Sequence, residues 1–524
     1  MDAQEAKRRK LEAKMGGGPP PSFPSAVPVP APKAPKPEPT KQAPPAPAAA
    51  EEEADPFVCD ANDAVSFRLV RTAADMATAE PFEPEFTHQV FREDETIFGY
   101  RDLRIDIFQS AHLFKTYVKV RFAEKVKSTL NPADDVVAAL RAHFGEEMMT
   151  CEKAFLETLE ADKHARVPAG GGEIVAAADA AVGDGDAKAV DVIRAFRLSD
   201  AAVYPWHARF EPLILFFIDG ASAVDSEDDN WTLLCATRHA YASDAERAAI
   251  VSGAEGPGAH GGAWSMVAFA TVYAFYQYPD RRRARLSQIV VAPPFQRQGL
   301  GSALLAATRA VSVKRDFADL TVEDPTPQLR RLRDVADVRA LGARPAIAAA
   351  VAAAARNAAA LSKEDVEAYG EKARAALRCP AAVKSEARDA LKVCAPQLAR
   401  CWEALLFLFA KKASPAESAD SPAAAAFTEL VVRRLRKQHC ADAQRDAGAK
   451  RVYHSDAALF ASGGNEHLGA EKAFVMTKHG RGRSGGQAPD LEEGEDKQDP
   501  AEVLAEYFHE TMSNLAWLAS AAKI

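Results

Sequence analysis

The sequence predicts an α+β chain in three parts: an amino-terminal mixed α/β domain, a central domain built on a strand, loop and helix, and a helical carboxy-terminal domain. Three observations carry this. Residues 57–163 alternate strand-like runs with helical spacing, Leu286 to Leu305 reads as an apolar strand feeding a glycine-containing turn, and from Ser362 onward the spacing is helical with charged faces.

The chain is long enough for several cores. At 524 residues and 56.3 kDa, two or three domains are expected once tails are removed. Residues 1–52 read as a disordered tail, because proline and alanine dominate Pro20 to Ala50 and too few large apolar side chains are present to offset chain ordering. Within it, Lys7-Arg-Arg-Lys10 reads either as a nuclear-import element or as an ordinary basic cluster.

In residues 57–163, Val65-Ser-Phe-Arg-Leu-Val70 and Leu103-Arg-Ile-Asp-Ile-Phe108 are strand-like, and Ala133 to Phe144 has helical spacing. Residues 164–192 are small, acidic and glycine-containing, and read as a flexible insertion. The central domain, residues 193–345, opens near Ile193. Arg209 to Ser222 is apolar enough for a strand or a buried helix, Thr232 to Cys235 and Met266 to Tyr276 are strand candidates, and Gly253 to Gly262 connects them as a hairpin-like loop. Residues 360–460 read as helical: Ser362-Lys-Glu-Asp365 offers an N-cap and Ala399 to Phe409 a strong apolar segment. Residues 461–500 read as disordered and 501–524 as a terminal helix.

Charge and cysteine content narrow the function classes. A net charge of -9 with pI near 5.8 argues against nucleic-acid binding as the main activity and suits capture of a basic peptide. Such mild acidity also simply keeps a protein dispersed. The 7 cysteines show neither a Cys-x-x-Cys pair nor the dense spacing of a secreted scaffold, which points to a reducing compartment. No continuous apolar run suggests a signal peptide or membrane span, and no clustered His/Cys pattern suggests a metal.

The chemistry gathers around Ile289, Val290 and Val291, a β-branched strand stopped by Pro293 and Pro294. Gln296, Arg297, Gln298, Gly299, Leu300, Gly301 and Ser302 follow as a turn opening a helix. Glycine lets the backbone approach a phosphate closely, and the free amides of a first helical turn supply anion donors without a lysine. Downstream, Glu323 and Asp324 close the strand Asp319 to Val322 beside Pro325, where a carboxylate can enter a cleft; strand alternation points the two in different directions.

These segments resemble the GNAT acetyltransferases, whose pyrophosphate loop Gln/Arg-x-x-Gly-x-Gly/Ala is matched by Gln296, Gly299 and Gly301. Tyr278-Pro-Asp280, Arg285-Leu-Ser-Gln288, Pro294-Phe-Gln296 and Leu320-Thr-Val-Glu-Asp-Pro325 narrow the resemblance to the type B histone acetyltransferase catalytic subunits. Upstream, Phe86-Thr-His-Gln-Val-Phe91, Asp94-Glu-Thr96 and Phe98-Gly-Tyr100 look like the amino-terminal domain of the same family. The resemblance covers roughly residues 57–163 and 193–410.

It implies a central GNAT fold and transfer of acetyl from acetyl-CoA to lysines of free, newly synthesised histone four. Ile289 and Val291 would hold the pantetheine arm through backbone contacts, Gln296 through Ser302 would hold the pyrophosphate, and a backbone donor near Ile289 would meet the thioester carbonyl as oxyanion charge develops. Lysine attacks only as a neutral amine, so a carboxylate must accept its proton; the resemblance assigns Glu323 as general base with Asp324 beside it. Asp219 matches a position where the family commonly has glutamate, and its neighbours Phe217, Ile218 and Ala221 suggest a desolvated carboxyl with raised proton affinity. Glu93 and Glu95, with Tyr273, Ala274 and Phe275 on a central strand, would bind the tail by charge and extended pairing. Cys235 reads as a core cysteine rather than a nucleophile.

The resemblance also implies histone four together with histone three and a WD-repeat histone chaperone as partners, no metal, no membrane, no strong nucleic-acid binding, and location in nucleus and cytoplasm. Two alternatives remain open, a GNAT acting on a small amine and a weakly catalytic histone-binding subunit.

Overall fold

The structure is a computed structural model, and it describes residues 55–168, 172–180, 188–253, 264–367, 371–413, 421–437 and 500–522. The Pro/Ala-rich tail, the basic cluster Lys7 to Lys10 and the expected disordered insertion up to residue 499 lie outside the described residues. Every described element belongs to the unit Asp55–Ile524.

Short strands open the chain. β1 (Val58–Asp60) pairs antiparallel with β3 (Thr96–Phe98), separated by β2 (Val65–Val70), whose Val65, Phe67 and Val70 are buried. β4 (Tyr100–Arg101) precedes β5 (Arg104–Ser110), which pairs parallel with β2 and antiparallel with β6 (Thr116–Arg121); β7 (Glu124–Lys125) returns to β4. Helix α1 (Val136–Phe144) starts later than its apolar spacing because Asp135 accepts the Ala138 amide at 3.0 Å and caps it. Helix α2 (Glu152–Asp162) buries Phe155 under Tyr117, with ring centroids 5.6 Å apart.

The central sheet is six-stranded, in the order β13-β12-β11-β10-β9-β8. β8 (Glu173–Asp179) is the edge, followed by β9 (Lys188–Arg197), β10 (Trp231–Tyr241), β11 (Trp264–Gln277) and β12 (Arg281–Val291), all antiparallel neighbours. β8 corrects the flexible-insertion reading of residues 164–192. Its small residues resemble a loop in composition, yet pairing with β9 gives the backbone partners, and Ile174, Val175 and Ala176 pack on neighbouring clusters. Arg209 to Phe217 is helical rather than extended, with Ile218 to Ser222 a turn after it: α3 (Tyr204–Phe210) and α4 (Ile214–Phe217) bury Trp206, Phe210 and Phe216. Helix α5 (Asp244–Ser252), capped by Ser243, occupies part of the connection between β10 and β11.

Helix α6 (Leu300–Lys314) crosses from β12 to β13 (Leu320–Val322), and the two strands pair in parallel, as expected for a strand, helix and strand unit. Its Leu304, Leu305, Ala307 and Val311 pack on Leu234, Ala268, Ala270 and Leu286. On the other face, Leu233, Cys235, Met266 and Phe269 share one cluster with Phe67, Ile105 and Phe114 of the amino-terminal strands. Phe67 meets Phe216 edge-on at 5.0 Å, and Phe210 lies 4.8 Å from Phe269. A single core therefore runs from the first strands into the central sheet.

The helical region begins with α7 (Pro327–Gly342), capped by Thr326, and α8 (Pro345–Ala359). α9 (Ala381–Leu391), α10 (Ala395–Ala413), α11 (Pro422–Leu435) and α12 (Pro500–Ala522) follow. Val338, Leu341, Ile347, Leu398, Trp402 and Leu518 belong to its common core. Ser362 caps as expected, accepting the Asp365 amide at 3.2 Å while Asp365 accepts back from the Ser362 amide at 3.1 Å.

Candidate active site

The two parallel strands at the sheet edge separate. β12 and β13 pair through Ala284 with Leu320, Arg285 with Thr321 and Leu286 with Val322, and the Glu323 amide donates to Leu286 O at 2.9 Å. β13 then ends while β12 runs on to Val291. The cause is local: the β11–β12 register shifts between Thr271 and Val272, leaving Ser287 as an extra residue on β12, and a bulge of this kind sharpens twist and re-aims a side chain. Beyond Leu286, among the described residues, no strand pairs with the outer edge of Ser287 to Val291.

At the end of β12, Ala292 donates to Val267 O at 3.0 Å, and Pro293 and Pro294 stop the ladder. The turn that follows is braced from within, since Gln296 Nε2 donates to Val291 O at 3.1 Å and Gln298 Nε2 to Pro294 O at 3.2 Å. Gly299 is the N-cap of α6 with φ 90°, and nothing lies within 4 Å of where a Cβ would sit, so backbone conformation and open space together favour glycine there. No side chain caps the helix, and the amides of Leu300, Gly301 and Ser302 form its first turn beside exposed Gln296, Arg297 and Gln298. Gly301 packs closely, its Cβ direction meeting Leu332 Cδ2 at 3.1 Å. Val290 is buried at the core face of β12, which leaves its backbone for any ligand, while Ile289 and Val291 are partly buried.

Arg238 was not foreseen. From β10 it grips Asp191 with two bonds of 2.8 and 2.9 Å, donates to Gln298 Oε1 at 2.7 Å and stacks over Phe295 at 5.2 Å. It ties the phosphate-type turn to the sheet. Its partners are far away in sequence, so no local pattern marks it.

Two carboxylates, Glu323 and Asp324, follow the end of β13. Glu323 is 43% exposed; the Ser287 hydroxyl donates to its Oε2, and Arg285 Nη1 lies 3.8 Å from its Oε1. Asp324 is exposed and takes φ 26°, a strained backbone for a residue with a side chain. The loop carrying Asp219 is fastened to the adjacent residue of β12: Gln288 Nε2 donates to Ser222 O at 2.8 Å, and Gln89 Nε2 donates to Ala221 O at 2.7 Å. Glu323 and the Asp219 loop thus flank one stretch of strand, Ser287 to Gln288.

Asp219 departs from the desolvated carboxyl expected of its neighbours. Its side chain is 71% exposed because α4 ends at Phe217 and the chain turns outward through Gly220, φ 66°, leaving Phe216 inside and the aspartate at the surface. His88 faces it, Nε2 to Oδ1 3.2 Å.

The expected tail-binding residues divide. Glu93 is exposed, but Glu95 is 4% exposed with φ 60°, and it accepts the Thr87 amide at 3.2 Å, so the turn directs it inward rather than toward a peptide. Tyr273 pairs with Trp231 on one side and Arg285 on the other; Ala274 is buried, donates to Asn230 O at 3.2 Å and pairs with Ala284. β11 is paired on both sides as far as Tyr273, while Phe275 to Gln277 run past the start of β10 and pair with β12 alone. A side-chain surface lies alongside. Trp231 and Tyr273 lie 4.8 Å apart, Tyr273 and Phe275 4.5 Å, and the Arg285 guanidinium covers Phe275 at 4.5 Å before reaching Glu323. The acidic turn Asp225-Ser-Glu-Asp-Asp229, missed from sequence, borders this row, with Tyr273 donating to Asp228 Oδ2 at 2.8 Å. That bond raises the Tyr273 pKa.

Cys235 is fully buried and burial pushes its thiol well above the ordinary value, which fits a core cysteine. Among the described residues no group of three or more His, Cys, Asp or Glu side chains is placed to hold a metal.

Comparison with known proteins places these features in context. Residues 57–219 match the family described as histone acetyl transferase HAT1 N-terminus, and residues 220–332 match the acetyltransferase (GNAT) family. The chain is 26% identical over 361 residues to the histone acetyltransferase type B catalytic subunit of Arabidopsis thaliana, covering 67% of this chain and 71% of that protein. It is 29% identical over 290 residues to the subunit of the same description from Rattus norvegicus and 29% over 302 residues to that from Homo sapiens, each covering 55% of this chain and 65% of the relative.

Proposed function

The chain belongs to the type B histone acetyltransferase family of GNAT enzymes, and from that premise we propose that it acetylates lysines of free histone four by direct attack of the amine on acetyl-CoA, with carboxylate assistance. The observation that carries this reading is Glu323, fixed by Ser287 and Arg285 where β12 and β13 part. Acetyl-CoA supplies the acetyl group as a thioester. The first-turn amides of α6 and the braced Gln296 to Gly299 turn suit its pyrophosphate, and the open edge of β12 suits its pantetheine arm and the thioester carbonyl.

Glu323 accepts the proton of the incoming ammonium, which frees the lone pair for attack. Arg285, 3.8 Å from it, orients the carboxylate at the end of the aromatic row. Attack then proceeds without a covalent enzyme intermediate, consistent with the burial of Cys235. The acidic turn Asp225 to Asp229 and exposed Glu93 favour a basic tail electrostatically, while Trp231, Tyr273 and Phe275 offer apolar faces to its aliphatic stems. A WD-repeat histone chaperone as partner, histone three alongside histone four, and residence in both nucleus and cytoplasm complete the reading.

The test is mass-resolved acetylation of a histone-four tail peptide, comparing the protein with Glu323→Gln at matched acetyl-CoA binding. Site-specific product falling by about tenfold or more in the variant is the expected result. No product from either protein with the donor bound overturns the histone substrate and moves the case to a small amine or a binding subunit.

A further inference from the structure

The central sheet carries a second surface, on the face opposite the aromatic row and at the end opposite the turn before α6. Strand register sets the face. Ile193 and Ala195 of β9, Ala274 of β11 and Ala284 of β12 pack with the α6 side chains, so Arg197, Tyr276 and Arg282, each two residues away on its strand, point to that side. Arg197 ends β9 and pairs with Thr232, while Tyr276 pairs with Arg282. Arg315, just past the end of α6, donates to Thr232 Oγ1 at 2.5 Å. Arg282 and Arg315 line an open cleft of about 490 Å³ together with Asp280, Arg281 and Asp316.

The charges here do not balance. Asp316 is held by Lys392 Nζ at 3.0 Å, with Arg281 Nη2 3.8 Å away. Among the described residues, no carboxylate lies within ion-pair distance of Arg197, Arg282 or Arg315. Burial lowers the Arg315 pKa, Glu173 offsets part of that, and Arg197 adds to it. The dipole of α6 favours a cation at its carboxy-terminal end, which accounts for Arg315. It does not account for Arg197 and Arg282, which come from two different strands. In a chain of net charge -9, three guanidinium groups gathered without counter-charge make a local surface complementary to an anion.

We propose that Arg197, Arg282 and Arg315, with Tyr276 beside them, dock an extended acidic segment of a partner protein. From β9 to β12 there are three inter-strand gaps, about 14 Å in all at about 4.8 Å each. An extended peptide covers that distance in about four residues, so acids at alternate positions meet the arginines in turn. A free phosphate is too small to reach them together. Tyr276 is 70% exposed, and its hydroxyl donates to Pro279 O at 2.6 Å, which holds the ring as an apolar face beside Arg282. Tyrosine and arginine are residues on which binding surfaces depend most. Asp280 and Asp316 stand in the same cleft and repel an unbroken run of phosphates, whereas a peptide can set a neutral residue against each; this favours protein over nucleic acid.

This face is separate from the proposed transfer site, since Tyr273, Phe275 and Arg285 point to the other side of the same strands. The experiment uses the full chain and two fluorescein-labelled probes of matched charge, a peptide of alternating glutamate and serine and an oligothymidylate. Binding is read by anisotropy at about 100 and about 500 mM NaCl. The expected result is saturable peptide binding that the higher salt abolishes and that weakens about tenfold or more in Arg197→Glu/Arg282→Glu, with the oligothymidylate bound about tenfold more weakly than the peptide. Arg197→Lys/Arg282→Lys keeps most of the peptide affinity. Both double variants retain the circular dichroism spectrum of the parent and its kcat on the histone-four tail peptide.

No binding of the peptide by the parent chain, or equal binding by the glutamate double variant, overturns the proposal. Tighter binding of the oligothymidylate with the same dependence on Arg197 and Arg282 assigns the surface to nucleic acid and overturns it as well. Loss of turnover together with docking overturns the separation of the two faces. Anisotropy needs no acetyl transfer, so a failure of the acetyltransferase reading leaves the docking result to stand or fall by itself.

Discussion

His207 is fully buried in α3, with Glu211 Oε1 4.0 Å from its Nδ1, and burial holds its pKa down to about 4. An unfolded histidine titrates near 6.5, so as pH falls the unfolded chain takes up a proton before the folded one does. The stability contributed by the neutral ring is complete above about pH 6.5 and is lost as pH falls toward 4, amounting to about 2 kcal/mol by pH 5. Urea midpoints at pH 7 and pH 5 check this: His207→Leu should flatten the slope by that amount. Glu211, whose pKa burial raises, acts in the opposite sense and is common to both proteins. Individual residues were unevenly legible from sequence. The helix start at Gly299 and the strand end before Glu323 lie where the sequence pattern puts them, because that pattern is contiguous and local. Glu95 and Asp219 were assigned the wrong environments, since neighbours in sequence do not decide whether a turn faces in or out; one φ near 60° turned the first inward and a helix end carried the second outward. His88 and Arg238 act on partners remote in sequence, where no periodicity reaches.

At the scale of elements, the start of α6 is the most exacting piece. Gly299 holds φ 90°, and a side chain there costs about 1–2 kcal/mol of backbone strain even though no neighbour obstructs it. Gly299→Ala should therefore weaken acetyl-CoA binding about tenfold with the fold retained, read by calorimetric titration against an unchanged circular dichroism spectrum. The strand, loop and helix around it were legible because β-branched residues, prolines and glycines each act within a few positions. β8 was not. Its alanines carry little intrinsic preference, and only pairing with β9 makes them a strand. The bulge at Ser287 was equally hidden, being a property of the β11–β12 register rather than of either strand alone.

Over the whole molecule, two long-range features outrank local pattern. The amino-terminal strands and the central sheet share one aromatic core, although composition suggested separate domains either side of an insertion. The helical region, in turn, is bolted to α6 by Asp337, 2% exposed, which accepts from Arg309 of α6 and lies 3.4 Å from Arg333 of its own helix. Burial raises the Asp337 pKa against the pull of both arginines. Asp337→Ala leaves two guanidinium groups without their counter-charge and should destabilise the protein by about 3–5 kcal/mol, read as a lowered urea midpoint. Alanine-rich helical spacing made the helices themselves legible, but not this joint.

Because α6 begins at the turn proposed to hold acetyl-CoA and is clamped to α7 near its far end, occupancy of the turn should govern how often the helices beyond open to a protease. If they unfold as one unit, acetyl-CoA at a hundredfold excess over its Kd adds about 2.7 kcal/mol, and nicking of the helices from Pro327 to Ala413 slows about a hundredfold. Asp337→Ala should erase that protection while leaving the turn able to bind. The rate at which this protein is cut would then report the acetyl-CoA level around it.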